Sequence, residues 1–77
     1  MNPIIGQIVL FGGGRCPTGW HLCDGSQLPM MQYTKLYSVL GTKFGGDGRM
    51  NFGLPKLTDL GGALYIIATD GEFPIYE

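Results

Sequence analysis

Charge is scarce in this chain. Only 14% of its 77 residues are Asp, Glu, Lys or Arg, where globular domains usually carry about a quarter. With five basic and six acidic residues and a net charge of −1, the balance offers no electrostatic pull on nucleic acid or on an anionic membrane, and neither is expected as a partner. No apolar run is long enough to span a bilayer. The start, Met1-Asn2-Pro3, lacks the basic residues of a secretory signal, and Gly6 interrupts the apolar run behind it, so the expectation is a cytoplasmic product when made. Cysteine is sparse: Cys16 and Cys23 lie close in sequence and pair only if the chain doubles back between them. His21 is the one histidine, with no serine or acid at a recognisable triad spacing, so no enzyme is read here. Cys16, His21, Cys23 and Asp24 are each of zinc-ligand type, but no Cys-x-x-Cys pair accompanies them; buried or free thiols are the simpler reading, with no metal and no cofactor expected.

What the chain has in excess is glycine, fourteen residues without a three-residue period, which marks turns and excludes a collagen-like repeat. The length fits one domain, 1–77, near the size at which a single core barely holds a fold. Association between copies would relieve that margin, and a surface so poor in charge fits one that is partly covered.

The stretch Pro17-Thr18-Gly19-Trp20-His21-Leu22-Cys23-Asp24-Gly25 joins the single tryptophan to two turn signals. Alternation places Trp20 and Leu22 on one face of a short strand and His21 and Cys23 on the other. Trp20 is expected as a core hub, with Cys23, Asp24 and Gly25 as structural parts of the same turn. Before it, Ile4-Ile5-Gly6-Gln7-Ile8-Val9-Leu10-Phe11 reads as a first strand buried on both faces, one cover coming from another subunit. Gly12-Gly13-Gly14 and Arg15 then form a loop.

After an extended Gln27-Leu28-Pro29, the period changes. Tyr33, Leu36, Tyr37 and Leu40 make a helical stripe, which predicts a helix over 31–40 closed by Gly41. A glycine-dense loop follows, with Phe44, Phe52 and Leu54 expected to point inward and Asp47 expected to close a local turn. Ala63-Leu64-Tyr65-Ile66-Ile67-Ala68 reads as the last strand, with Thr69-Asp70-Gly71 as a turn and a short tail through Phe73, Pro74 and Tyr76. The class is therefore α+β, with short strands, one short helix and long glycine-rich loops.

The order of these pieces resembles the phage tail collar domain, also found in bacterial proteins described as microcystin-dependent. The matching words are Ile5-Gly6-Gln7-Ile8, Pro17-Thr18-Gly19-Trp20, Cys23-Asp24-Gly25, Leu28-Pro29, Leu36-Tyr37-Ser38-Val39-Leu40-Gly41-Thr42, Phe44-Gly45-Gly46-Asp47-Gly48-Arg49 and Phe52-Gly53-Leu54-Pro55. The closing Tyr65-Ile66-Ile67-Ala68, with Gly71 and Phe73-Pro74, extends the likeness over nearly the whole chain. Two departures stand out. Lys56 and Thr58-Asp59-Leu60 replace the acidic residue and Arg-Gly-Arg run that often follow Leu-Pro in the family. The variable region that longer relatives place before the closing strand is reduced here to a short turn, so a receptor-reading tip is not expected.

The resemblance implies a noncatalytic structural or attachment module, a trimer by likeness to tail fibres, with phage tail proteins as partners, made in the host bacterium's cytoplasm and placed in the virion tail. An alternative comes from the cations. Arg15, Lys43, Arg49 and Lys56 all lie in loops, and with Asp47 they are the candidate residues for an oligomer that captures a small anionic ligand, such as a nucleotide signal of host defence. Solvated surface charge is the simpler reading of the same residues.

Overall fold

The computed structural model describes residues 3–75; Met1, Asn2 and Tyr76 of the sequence reading lie outside them. Five strands and one helix follow one another as β1 (Ile8–Phe11), β2 (Trp20–Leu22), β3 (Gln27–Pro29), α1 (Thr34–Leu40), β4 (Asn51–Gly53) and β5 (Leu64–Ala68). They form a three-stranded antiparallel sheet in the order β1-β5-β2 and a two-stranded antiparallel sheet, β3-β4. This is the α+β arrangement expected.

β5 is the organising strand, because it pairs on both sides. Ile67 stands opposite Ile8 on one side and His21 on the other, and Ile66 stands opposite Val9 and Leu22. Opposed residues share a face, so the sheet has an Ile67 face and an Ile66 face. The Ile67 face meets the core, to which nearly every part of the chain contributes: Ile5, Cys23, Leu28 of β3, Leu36 of α1, Phe52 of β4, Leu54 and Ile67 itself. Tyr37 packs its ring on Phe52 with centroids 5.5 Å apart. Ile66 is 1% exposed yet lies outside that cluster. β1 and β2 run parallel to each other, with β5 between them. Residues 12–19 must therefore cross from one end of the sheet to the other.

Several expectations are corrected. The first strand begins at Ile8, not Ile4, because Gly6 takes φ +87°. The Gln7 amide bonds back to the Ile4 carbonyl, the Gly6 amide donates to the Ala68 carbonyl, and the Ala68 amide donates to the Gln7 carbonyl. Gly6 and Gln7 thus stand together opposite one residue, a bulge that needs glycine in the left-handed region. Ile8 and Leu10 of β1 remain 38% and 45% exposed within the single chain, which leaves open the cover expected from another subunit.

Trp20 is only half-buried on an outer strand and stays outside the core cluster, whereas its neighbour Cys23 is fully inside. The helix starts at Thr34 rather than Met31, because the Pro29 carbonyl accepts the Gln32 and Tyr33 amides in a turn and Met31 is left 96% exposed. The predicted stripe does pack: Leu36 is buried, and Tyr33, Tyr37 and Leu40 lie against the core. Gly41 closes the helix, its amide bonding to the Tyr37 carbonyl. Phe44 does not point inward but is 39% exposed, while Phe52 and Leu54 are buried as expected.

Candidate functional site

The glycine-dense loop at 43–49 is held against β4 by its own main chain. The Gly45 amide donates to the Thr42 carbonyl (3.1 Å), the Gly53 amide to the Gly45 carbonyl (2.9 Å) and the Gly48 amide to the Asn51 carbonyl (3.2 Å). At its tip Asp47 Oδ1 accepts three main-chain N–H groups, from Arg49 (2.9 Å), Met50 (3.0 Å) and Asn51 (3.1 Å). Successive amides converging on one point are an anion-binding nest, and here the anion is the chain's own carboxylate. Those amides, Arg49's foremost, hold the Asp47 carboxyl below the usual range. Asp47 therefore closes a local turn, as its place between glycines suggests. What the loop presents outward is side-chain charge: Arg49, and Lys43, whose Nζ sits 5.5 Å from the centroid of the Phe44 ring.

Lys56 belongs to a different strip. It forms an isolated antiparallel bridge with Asp24, the Leu57 amide bonds to the Cys23 carbonyl (2.9 Å) and the Gly25 amide to the Pro55 carbonyl (3.3 Å). Asp24 Oδ1 accepts the Ser26 hydroxyl and the Ser26 amide. The Ser26 hydroxyl contributes most to holding that carboxyl below its usual range. The strip at 54–57 thus fastens the turn at Cys23, Asp24 and Gly25.

Arg15 lies exposed in the 12–19 crossover between β1 and β2, whereas the 43–49 loop is built on β4. Within one chain the fold brings Lys43, Asp47 and Arg49 into one loop, sets Lys56 beside Asp24, and carries Arg15 on a separate loop. None of the four cations has a carboxylate within 4.0 Å among the described residues; the one ion pair there joins Lys35 Nζ to Asp70 Oδ1 at 3.3 Å.

That pair marks a feature the sequence reading missed. Gln32, Tyr33, Thr34, Lys35, Thr69 and Asp70 line an open groove of about 400 Å³ between the start of α1 and the turn after β5. The helix expected over 31–40 contains Lys35 and the turn expected at Thr69-Asp70-Gly71 contains Asp70, and no local signal joins residues so far apart.

Both cysteines are free. Burial, with smaller contributions from Asp24 and Cys16, pushes the Cys23 thiol from 9.0 up to about 11, and burial also raises Cys16. His21 Nδ1 donates to the Leu22 carbonyl at 2.9 Å. Among the described residues no three His, Cys, Asp or Glu side chains are grouped to hold a metal ion, and no helix is long and apolar enough to cross a membrane.

Comparison with known proteins agrees with the motif order. Residues 6–60 match the model of the phage tail collar domain, a structural domain of phage tails; no curated protein matches the chain. The matched span runs from the Gly6 bulge through α1, the 43–49 loop and the Lys56 strip, and stops before β5. Since it takes in well over half of the residues, the chain belongs to the phage tail collar domain family.

Proposed function

We propose that this chain serves as a noncatalytic, self-associating collar module, a structural or attachment piece of a phage particle or related assembly, with copies of itself and other tail proteins as partners. The family match over 6–60 carries the reading. The scarcity of charge and the exposure of Ile8 and Leu10 on an outer strand support it, because such surface is commonly covered in an assembly. A trimer is the form that likeness to tail fibres favours. The segment at 56–62 is exposed throughout, so the place where longer relatives carry their variable region is here a short surface turn, and the framework stands without a receptor-reading insert. Quantitative mass spectrometry of purified particles tests the reading: the chain is expected at fixed stoichiometry with other tail proteins, and its absence from particles made by cells that produce it overturns the proposal.

One observation favours a second reading. Arg15, Lys43, Arg49 and Lys56 have no carboxylate partner among the described residues, so their charge is free to meet an anion. In this reading an oligomer in the host cytoplasm binds and sequesters a small anionic ligand such as a nucleotide defence signal. Arg15 comes from one copy and the 43–49 loop from its neighbour, and Asp47 shapes the loop. The chain then gains thermal stability on adding phosphorylated nucleotides, and Arg49→Ala removes the gain. No shift with any of them at millimolar concentration rejects it.

A further inference from the structure

β1 is an outer strand protected on its free side by its four-residue length alone. Natural edge strands are also blunted by charge, proline, a bulge within the exposed stretch or a covering segment. No charged residue stands between Pro3 and Gly14, the Gly6 bulge faces β5, and no strand pairs with the other side of Ile8–Phe11 among the described residues. The opposite edge of the sheet differs, because the Leu57 amide reaches the Cys23 carbonyl beside the end of β2.

Hydrogen-bond parity fixes which groups are free. The Ala68 amide bonds to the Gln7 carbonyl, and Ile8 stands opposite Ile67 and Val9 opposite Ile66. Bonded and unbonded pairs alternate along an antiparallel ladder. Val9 and Phe11 therefore bond inward to β5, and the amides and carbonyls of Ile8 and Leu10 point outward. These two residues also leave their side chains 38% and 45% exposed, so unpaired main chain and bare apolar surface coincide.

We propose that this edge pairs with the same edge of a second copy, antiparallel, about a two-fold axis at Val9. Ile8 of one chain then stands opposite Leu10 of the other and the reverse, so all four outward groups of each chain are satisfied and the Ile8 and Leu10 side chains meet across the junction. Val9 faces Val9 across the axis, and the two three-stranded sheets become one of six strands. The strand is self-complementary in this register, as an isologous contact requires, and without charge it has nothing to select a partner of opposite sign.

This inference deepens the self-association in the proposed function and rests on it, so the experiment separates the two. Sedimentation equilibrium of the full chain at high micromolar concentration is expected to give an even multiple of the 8.3 kDa chain mass, six copies where two of the trimers meet at this edge. Leu10→Lys, an exposed position, is expected to halve that mass with an unchanged circular dichroism spectrum. In a Cys16→Ser background, Val9→Cys is expected to form an interchain disulfide on mild oxidation, because residues facing each other in an unbonded antiparallel pair have Cα atoms about 4.5 Å apart; Leu10→Cys is not. A monomeric chain overturns both this pairing and the self-associating reading, leaving the edge to a strand of another protein. A trimer whose mass Leu10→Lys leaves unchanged, or an assembly in which Val9→Cys does not crosslink, overturns the pairing alone.

Discussion

Three glycines allow the close approach of the 43–49 loop to β4 to be weighed against simple backbone strain. A Cβ added at Gly46 would lie 2.6 Å from the Asn51 carbonyl oxygen and 2.9 Å from the Phe52 nitrogen, main-chain atoms that cannot swing aside, and φ there is +93°. At Gly53 the φ is ordinary, but the Cβ would meet the Phe44 carbonyl oxygen at 2.6 Å. Gly61 has φ +59° and nothing within 4 Å of its added Cβ. Alanine in the left-handed region costs about 1–2 kcal/mol, and forcing packed atoms apart costs about 1–3 kcal/mol. A Gly→Ala change also regains about 0.4–1 kcal/mol by stiffening the unfolded chain. The expected losses are therefore about 1 kcal/mol for Gly61→Ala, about 1–2 for Gly53→Ala and about 2–4 for Gly46→Ala. A chain of this length has only about 4–12 kcal/mol in total, and each kcal/mol moves the midpoint by about 4–8 °C. Urea titrations with a common slope, backed by thermal melts, read the order directly. If Gly46→Ala falls within about 0.5 kcal/mol of Gly61→Ala, the loop does not press on β4 as described.

Further outcomes follow from burial and charge. Phe52→Ala empties the centre of the core and is expected to cost about 3–5 kcal/mol, leaving little or no folded protein by far-ultraviolet circular dichroism, whereas Trp20→Ala, at a half-buried outer-strand position, remains folded with a lowered midpoint. The Asp24, Asp47 and Asp70 carboxyls are all held below their ordinary 3.8. Their contribution is present above that value and lost as pH falls through the lower folded values, where the unfolded chain takes up more protons; melts between about pH 2 and 6 check the decline, which Asp47→Asn should shrink. Cys23 has the opposite sign: its thiol is raised from 9.0 to about 11, so its contribution is complete below 9.0 and disappears as pH rises to about 11, and thiol titration at pH 8 should label Cys16 well before Cys23.

Local chemistry was legible where local forces decide. The stripe Tyr33, Leu36, Tyr37 and Leu40 gave the helix and its inner face, and Asp47 between glycines gave its turn. Boundaries failed where one residue's backbone overrode a pattern: Gly6 at positive φ cut the apolar run that read as one strand, and the bonds to the Pro29 carbonyl fold residues 29–33 into a turn ahead of the helix. Trp20 was placed too deep because size and hydrophobicity rank a residue without saying which strand is central. That depends on pairing at long range, and the central strand, β5, was read only as a closing segment. The Lys35–Asp70 groove was invisible for the same reason. The likeness in motif order, by contrast, was readable from the chain alone and agrees with the match over 6–60.

The central position of β5 also sets a timetable. Ile8 finds its partner in Ile67, so during synthesis this apolar strand leaves the ribosome well before the strand that pairs with it. Pairings this distant in sequence fold slowly and leave unpaired edges open to wrong contacts meanwhile. The waiting time lengthens with every residue inserted ahead of β5, yet the entropy of closing the longer loop rises only logarithmically. A short link at 56–62 therefore does little for equilibrium stability and much for the speed with which a newborn chain hides its most adhesive segment.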